Sequence, residues 1–112
     1  MNCEMSATTG YSANAPTRED VAQWRGAAVL EFGTDWCGIC RGAQPLIGQG
    51  LATYGDIKRV KVEDGKGRPL GRSFRVTLWP TLVFLRDGVE VARVVRPESA
   101  DEVAEAAART RA

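Results

Sequence analysis

Cys37 and Cys40 stand three positions apart in Trp36-Cys37-Gly38-Ile39-Cys40. They fall where an apolar run, Ala27-Ala28-Val29-Leu30-Glu31-Phe32, gives way to a helical pattern. A CxxC pair at a strand-to-helix junction reads as a redox site. At a helix N-terminus the Cys37 sulfur would face unpaired backbone N–H groups and the positive end of the helix dipole, which favour the thiolate. The thiolate is the attacking species in disulfide exchange. Cys40, one turn on, shares that face and can close a disulfide with Cys37.

Glu31 is the second residue whose type asks for chemistry. A carboxylate inside an apolar strand costs several kcal/mol unless it is paired or protonated. Buried in that strand, it would suit the role of proton acceptor for Cys40 through a water. Arg72, Arg75, Arg86, Arg93 and Arg96 are scattered and read as a solvated surface, and Cys3 as a bystander.

Composition narrows the classes. A chain of 112 residues with 44% apolar content fits one domain with one core. A net charge of +1 with mixed signs argues against nucleic acid or an anionic membrane as the main partner. Residues 1–15 are polar and lack the apolar centre of a secretory signal, so the expected compartment is the cytoplasm. There a CxxC is more often catalytic or metal-binding than structural. The absence of histidine removes Cys-His zinc sites and Cys-His nucleophiles, and three cysteines cannot make a four-sulfur site in one chain.

The elements that must position these residues follow from pattern. Residues 1–15 are expected to be a flexible segment, with a short edge strand over Thr8 to Ser12, and residues 16–112 the domain. Thr17 caps a short helix whose buried stripe is Val21 and Trp24, stopped at Gly26. The run 27–32 reads as a central strand buried on both faces. A helix follows from Cys37, kinked at Pro45 and weakened by Gly42, Gly48 and Gly50. Ile57 to Val62 is a strand and Gly67 to Phe74 a short helix. Thr81–Leu85 and Val89–Val95 form a hairpin around Asp87-Gly88, with a slip near Ala92. A last helix runs from Glu98 or Ser99 to Thr110, with Val103, Ala106, Ala107 and Thr110 inward. Strands alternating with helices imply parallel pairing, with the hairpin as an antiparallel edge.

Together these residues resemble the thioredoxin family. The similarity rests on Val29-Leu30-Glu31-Phe32 leading into Asp35-Trp36-Cys37-Gly38-Ile39-Cys40, on Pro45, and on Trp79-Pro80-Thr81 entering Leu82-Val83-Phe84-Leu85. The resemblance implies an α/β thioredoxin fold, a central mixed sheet of four to five strands with helices on both faces. It implies a protein disulfide reductase in which Cys37 is the nucleophile and Cys40 resolves the mixed disulfide, with no cofactor of its own. It implies that Lys61 pairs with Glu31. The substrate surface would comprise Trp36, Gly38, Ile39, Trp79, a cis Pro80 and Thr81. Protein disulfides would be the substrates, a flavin-dependent thioredoxin reductase the electron donor, and the protein a monomer. Departures fall at Ile39 in place of proline, at Trp79 in place of a small or β-branched residue, at Arg96 in place of glycine, and at Glu31, which aligns with the family's buried aspartate. Trp79 would act either as a contact platform or as a partial block. Two other readings stand beside the enzyme: a binding module for one dedicated partner, and a dimer binding metal through Cys37 and Cys40 of each chain.

Overall fold

The computed structural model describes residues 10–111. Four strands form one sheet in the order β2-β1-β3-β4. Helix α1 (Arg18–Ala22) precedes β1 (Ala27–Gly33), and α2 (Gly38–Leu51) leads to β2 (Lys58–Glu63). Helix α3 (Pro69–Ser73) leads to β3 (Thr81–Arg86), β4 (Val89–Val95) and α4 (Ala100–Ala108), with a closing 3-10 turn over Arg109–Arg111.

β1 is buried along its whole length, as its apolar run requires. It pairs in parallel with β2 and antiparallel with β3. The antiparallel entry of β3 corrects the expectation of parallel pairing. The five-residue α3 spans about 7.5 Å, well short of the ~20 Å length of a six-residue strand. The chain re-enters the sheet from the end at which β2 left it. The hairpin slip is a register shift between Phe84 and Leu85 against β4.

Alternate residues of the strands divide the core. Val29, Leu82 and Phe84 meet Ala43 and Ile47 of α2 and Val103 and Ala107 of α4 on one face. Leu30, Phe32, Val83 and Leu85 meet Val21, Leu70 and Phe74 on the other. Burying each such side chain stabilises the fold by roughly 1.5–3 kcal/mol. Gly50 has a positive role in this core: a Cβ there would lie 2.7 Å from the Ala100 carbonyl oxygen and against Val103, so glycine lets α4 sit directly on α2.

Caps fall where side-chain chemistry places them. Thr17 accepts from the Asp20 N–H while the Asp20 carboxylate accepts from the Thr17 N–H, a complete capping box on a helix of five residues. Ser99 caps α4. Tyr11 is buried, and Ser12 bridges β2 through hydrogen bonds to Lys61 O and from Glu63 N. Thr8, Thr9 and Cys3 lie outside the described residues.

Candidate active site

Cys37 is the N-cap of α2, and its sulfur accepts the Cys40 backbone N–H at 3.2 Å. Cys37 is partly exposed and Cys40 fully buried, both as free thiols. The outer sulfur is open to solvent, and the inner one is enclosed. Burial pushes the Cys40 thiol up to about 11, and its hydrogen bond with Cys37 adds to this. Gly33, the last residue of β1, makes room for it: a Cβ there would stand 2.7 Å from Cys40 Sγ and 2.9 Å from the Tyr11 hydroxyl.

Glu31 lies on β1 with no exposed surface. The residue that compensates its charge is Arg59, whose Nε and Nη2 donate to Oε1 at 2.9 and 2.7 Å. Tyr11 Oη donates to Oε2 at 2.5 Å, and Gln44 Nε2 donates to the same oxygen at 2.8 Å. Four donors thus offset a desolvation cost of several kcal/mol. Lys61, the partner expected of Glu31, joins the same network through Gln44 and feels the charge of Glu31. Lys61 is the register partner of Glu31 in the parallel ladder, yet its Nζ donates to Gln44 Oε1 at 2.9 Å and lies 4.6 Å from the Tyr11 ring centroid. Arg59, two residues earlier on the same face of β2, brings a longer side chain and a planar fork that fits a carboxylate. Burial lowers the Lys61 pKa, partly opposed by the charge of Glu31.

Gln44 joins the parts. Its amide nitrogen also donates to the Cys40 carbonyl at 3.0 Å, and its oxygen also accepts from Arg59 at 2.8 Å. Gln44 follows Cys40 by four residues, so the helix repeat puts it on the sulfur's face. The sequence carried that signal and it went unused. Tyr11 carried none, lying 20 residues from Glu31 in a polar segment.

The outer rim is aromatic. Trp36 is 71% exposed, and its ring meets that of Trp79 edge-on at 5.7 Å. Trp79 is half-buried, and its Nε1 donates to Asp64 Oδ2 at 2.8 Å. The Trp79–Pro80 peptide is cis and Pro80 is buried. Gly38 and Ile39 are exposed at the start of α2. Thr81, expected at the substrate surface, is buried, and its hydroxyl donates to Leu78 O at 2.6 Å. Its hydroxyl therefore secures the turn before β3. Arg96 holds a φ of 52°, the left-handed region that glycine enters most readily. Its Nε donates to the Trp79 carbonyl at 2.8 Å.

Arg72 and Arg75 are less scattered than their sequence positions suggest. With Arg68, Asp64 and Trp79 they line a cavity of about 430 Å³ beside the rim. Among the described residues no cluster of three or more metal-ligating side chains is present, and no helix is long and apolar enough to cross a membrane.

Comparison with known proteins agrees with this geometry. Thioredoxin 2 from Pseudomonas aeruginosa PAO1, solved in its reduced form, is 58% identical, with a TM-score of 0.79 over 88% of this chain and 91% of that one. Thioredoxin H2-1 of Oryza sativa subsp. japonica is 33% identical over 67 residues, 60% of this chain and 49% of that protein. Thioredoxin H5 of the same organism is 33% identical over 79 residues, 70% of this chain and 58% of that protein. The chain thus spans about half the length of the curated relatives it matches. The sequence model of the thioredoxin family covers residues 10–109, a range that takes in Tyr11, the dithiol and the rim, and the chain belongs to the thioredoxin family.

Proposed function

We propose that this chain is a thiol–disulfide oxidoreductase that reduces protein disulfides. The observation that carries the reading is the pair itself, an accessible Cys37 capping α2 over a buried Cys40 whose N–H reaches the Cys37 sulfur. The Cys37 thiolate attacks a substrate disulfide, forming one S–S bond and releasing one substrate thiolate. Cys40, deprotonated, attacks Cys37 Sγ and releases the second. Two electrons pass to the substrate and the chain is left with a Cys37–Cys40 disulfide. Glu31 accepts the Cys40 proton, with Arg59 and Gln44 holding its carboxylate in place. Trp36, Trp79 and the exposed Gly38-Ile39 turn form the surface that meets the substrate. A reducing, cytoplasmic setting and a thioredoxin reductase as electron donor complete the reading.

Reduction of insulin by dithiothreitol tests it. The protein accelerates precipitation of the insulin chains, and Cys37→Ser abolishes the effect. Failure of the unaltered protein in this assay, with reductase and with dithiothreitol alike, would overturn the enzyme reading. The fixed Trp79 ring beside Trp36 favours a second reading, a module that captures one partner with little turnover. That module would bind its partner with Cys37 and Cys40 both replaced by serine.

A further inference from the structure

We propose that Tyr11 is a catalytic residue, relaying the proton between Cys40 and Glu31 through its hydroxyl. The inference rests on the proposed disulfide exchange, since only there must Cys40 lose a proton.

The geometry leaves the relay open at one end and closed at the other. The Tyr11 hydroxyl has one proton, and that proton is committed to Glu31 Oε2 at 2.5 Å. Its oxygen has two lone pairs. One takes a long bond of 3.3 Å from Gln44 Nε2. The other remains for the Cys40 thiol, which shares the Gly33 surface with it: one Cβ built on Gly33 would touch both atoms, at 2.7 and 2.9 Å. The two atoms are therefore neighbours, and each perturbs the other's ionisation.

The segment is fixed for this purpose. Tyr11 N donates to Asp35 Oδ1 at 2.9 Å, and Ser12 is tied to β2 on both sides. The charged and titratable groups around the pair are Glu31 on β1, Asp35 in the turn, Cys37 on α2, and Arg59 and Lys61 on β2. Two of them are cations, which favour negative charge arriving at Cys40.

The step balances as follows. Cys40 Sγ–H gives its proton to Tyr11 Oη while the Tyr11 proton passes to Glu31 Oε2. No free tyrosinate forms, as burial and the neighbouring carboxylate require, since both disfavour it strongly. The Cys40 thiolate then attacks Cys37 Sγ. A bond forms between the two cysteine sulfurs, the bond to the substrate sulfur breaks, and that sulfur leaves as a thiolate. The proton on Glu31 returns by the same path when the disulfide is next reduced. A water would serve less well here, because the ring fills the space and fixes the oxygen's position.

The test isolates the second step. The full chain with Cys3→Ser is reacted in its reduced form with the disulfide of 5-thio-2-nitrobenzoate, which places a mixed disulfide on Cys37 and releases one equivalent of coloured thiolate. Stopped-flow absorbance follows release of the second equivalent by Cys40. With no second release from the unaltered site, the exchange reading itself fails. With release, the relay predicts that Tyr11→Phe slows it on the order of tenfold or more at neutral pH and moves the rise of the rate to higher pH. Tyr11→Phe, Glu31→Gln and the double variant should be slowed equally, because they interrupt one path. Independent, multiplying effects would overturn the relay, as would a Tyr11→Phe rate and pH profile equal to the parent's. A proton inventory on the parent needs no altered site: two protons in flight give a curved dependence on deuterium content, and a straight line would refute the proposal.

Discussion

The Trp79 indole donates to Asp64 Oδ2 at 2.8 Å and meets the Trp36 ring at an interplanar angle of 79°. A large aromatic that stands where the family resemblance expected a small residue is thus held by a hydrogen bond to a charged acceptor, a bond worth about 1.5–3 kcal/mol. Asp64→Ala should release the ring, lower stability by about 1–2 kcal/mol, and collapse the near-ultraviolet circular dichroism from the two indoles. An unchanged spectrum would show that Asp64 does not hold the ring.

Arg59 makes the direct ion pair with the buried carboxylate of Glu31. Removing one partner of a buried pair costs about 3–5 kcal/mol because it leaves a charge unmatched. Arg59 keeps 27% of its side chain exposed, so Arg59→Met should fall at the low end, about 3 kcal/mol in urea unfolding. Lys61→Met should cost less. The reverse ranking would return the role to Lys61.

Alkali should separate the two redox forms. The folded Cys40 thiol is raised from 9.0 to about 11, so the folded state binds that proton more tightly than the unfolded chain. The stabilisation is complete below pH 9 and is lost as pH rises through 11. The disulfide form has no such thiol. Unfolding midpoints of reduced and oxidised protein, compared from pH 8 to 11, should therefore shift with a steeper fall for the reduced form. Parallel curves would contradict the raised Cys40.

Gly33→Ala is a small change with a large expected effect. The new methyl would overlap Cys40 Sγ and the Tyr11 hydroxyl. Overpacking of this kind costs about 1–3 kcal/mol, and here it would also part the sulfur from the hydroxyl. Slower insulin reduction together with lower thermal stability is the expected result. A fully active, fully stable variant would mean that the two side chains can move aside.

The cavity lined by Arg68, Arg72 and Arg75 lies beside Trp79. Arg72→Glu with Arg75→Glu should raise KM for disulfide peptides with acidic flanks and leave neutral peptides unaffected. Equal effects on both would mean that these cations play no part in choosing the substrate.

What could be read from the sequence was what depends on spacing within one element. The dithiol on a helix start, the buried run of β1 and the Thr17 and Ser99 caps are local patterns, and the structure has each of them. The rest depends on long-range approach. Parallel register alone sets Lys61 opposite Glu31, and only the reach of the guanidinium across the face decides for Arg59. Tyr11 is invisible because nothing in a polar leader specifies which oxygen its hydroxyl will meet. Alternation of strands with helices does not by itself set the direction of β3, which runs antiparallel to β1. Arg96 was seen as a departure from glycine, but its left-handed backbone and its bond to the Trp79 carbonyl belong to the folded turn.

Tyr11 comes from a segment outside the four strands, next to the β-bridge that Ser12 makes with Val62. Tyr11 is not among the side chains that pack α2 and α4 against the strands. The packing on that face and the proposed handling of the Cys40 proton therefore draw on different residues. Natural selection or an engineer could retune the speed of the dithiol by editing this leader, and keep the scaffold that carries it.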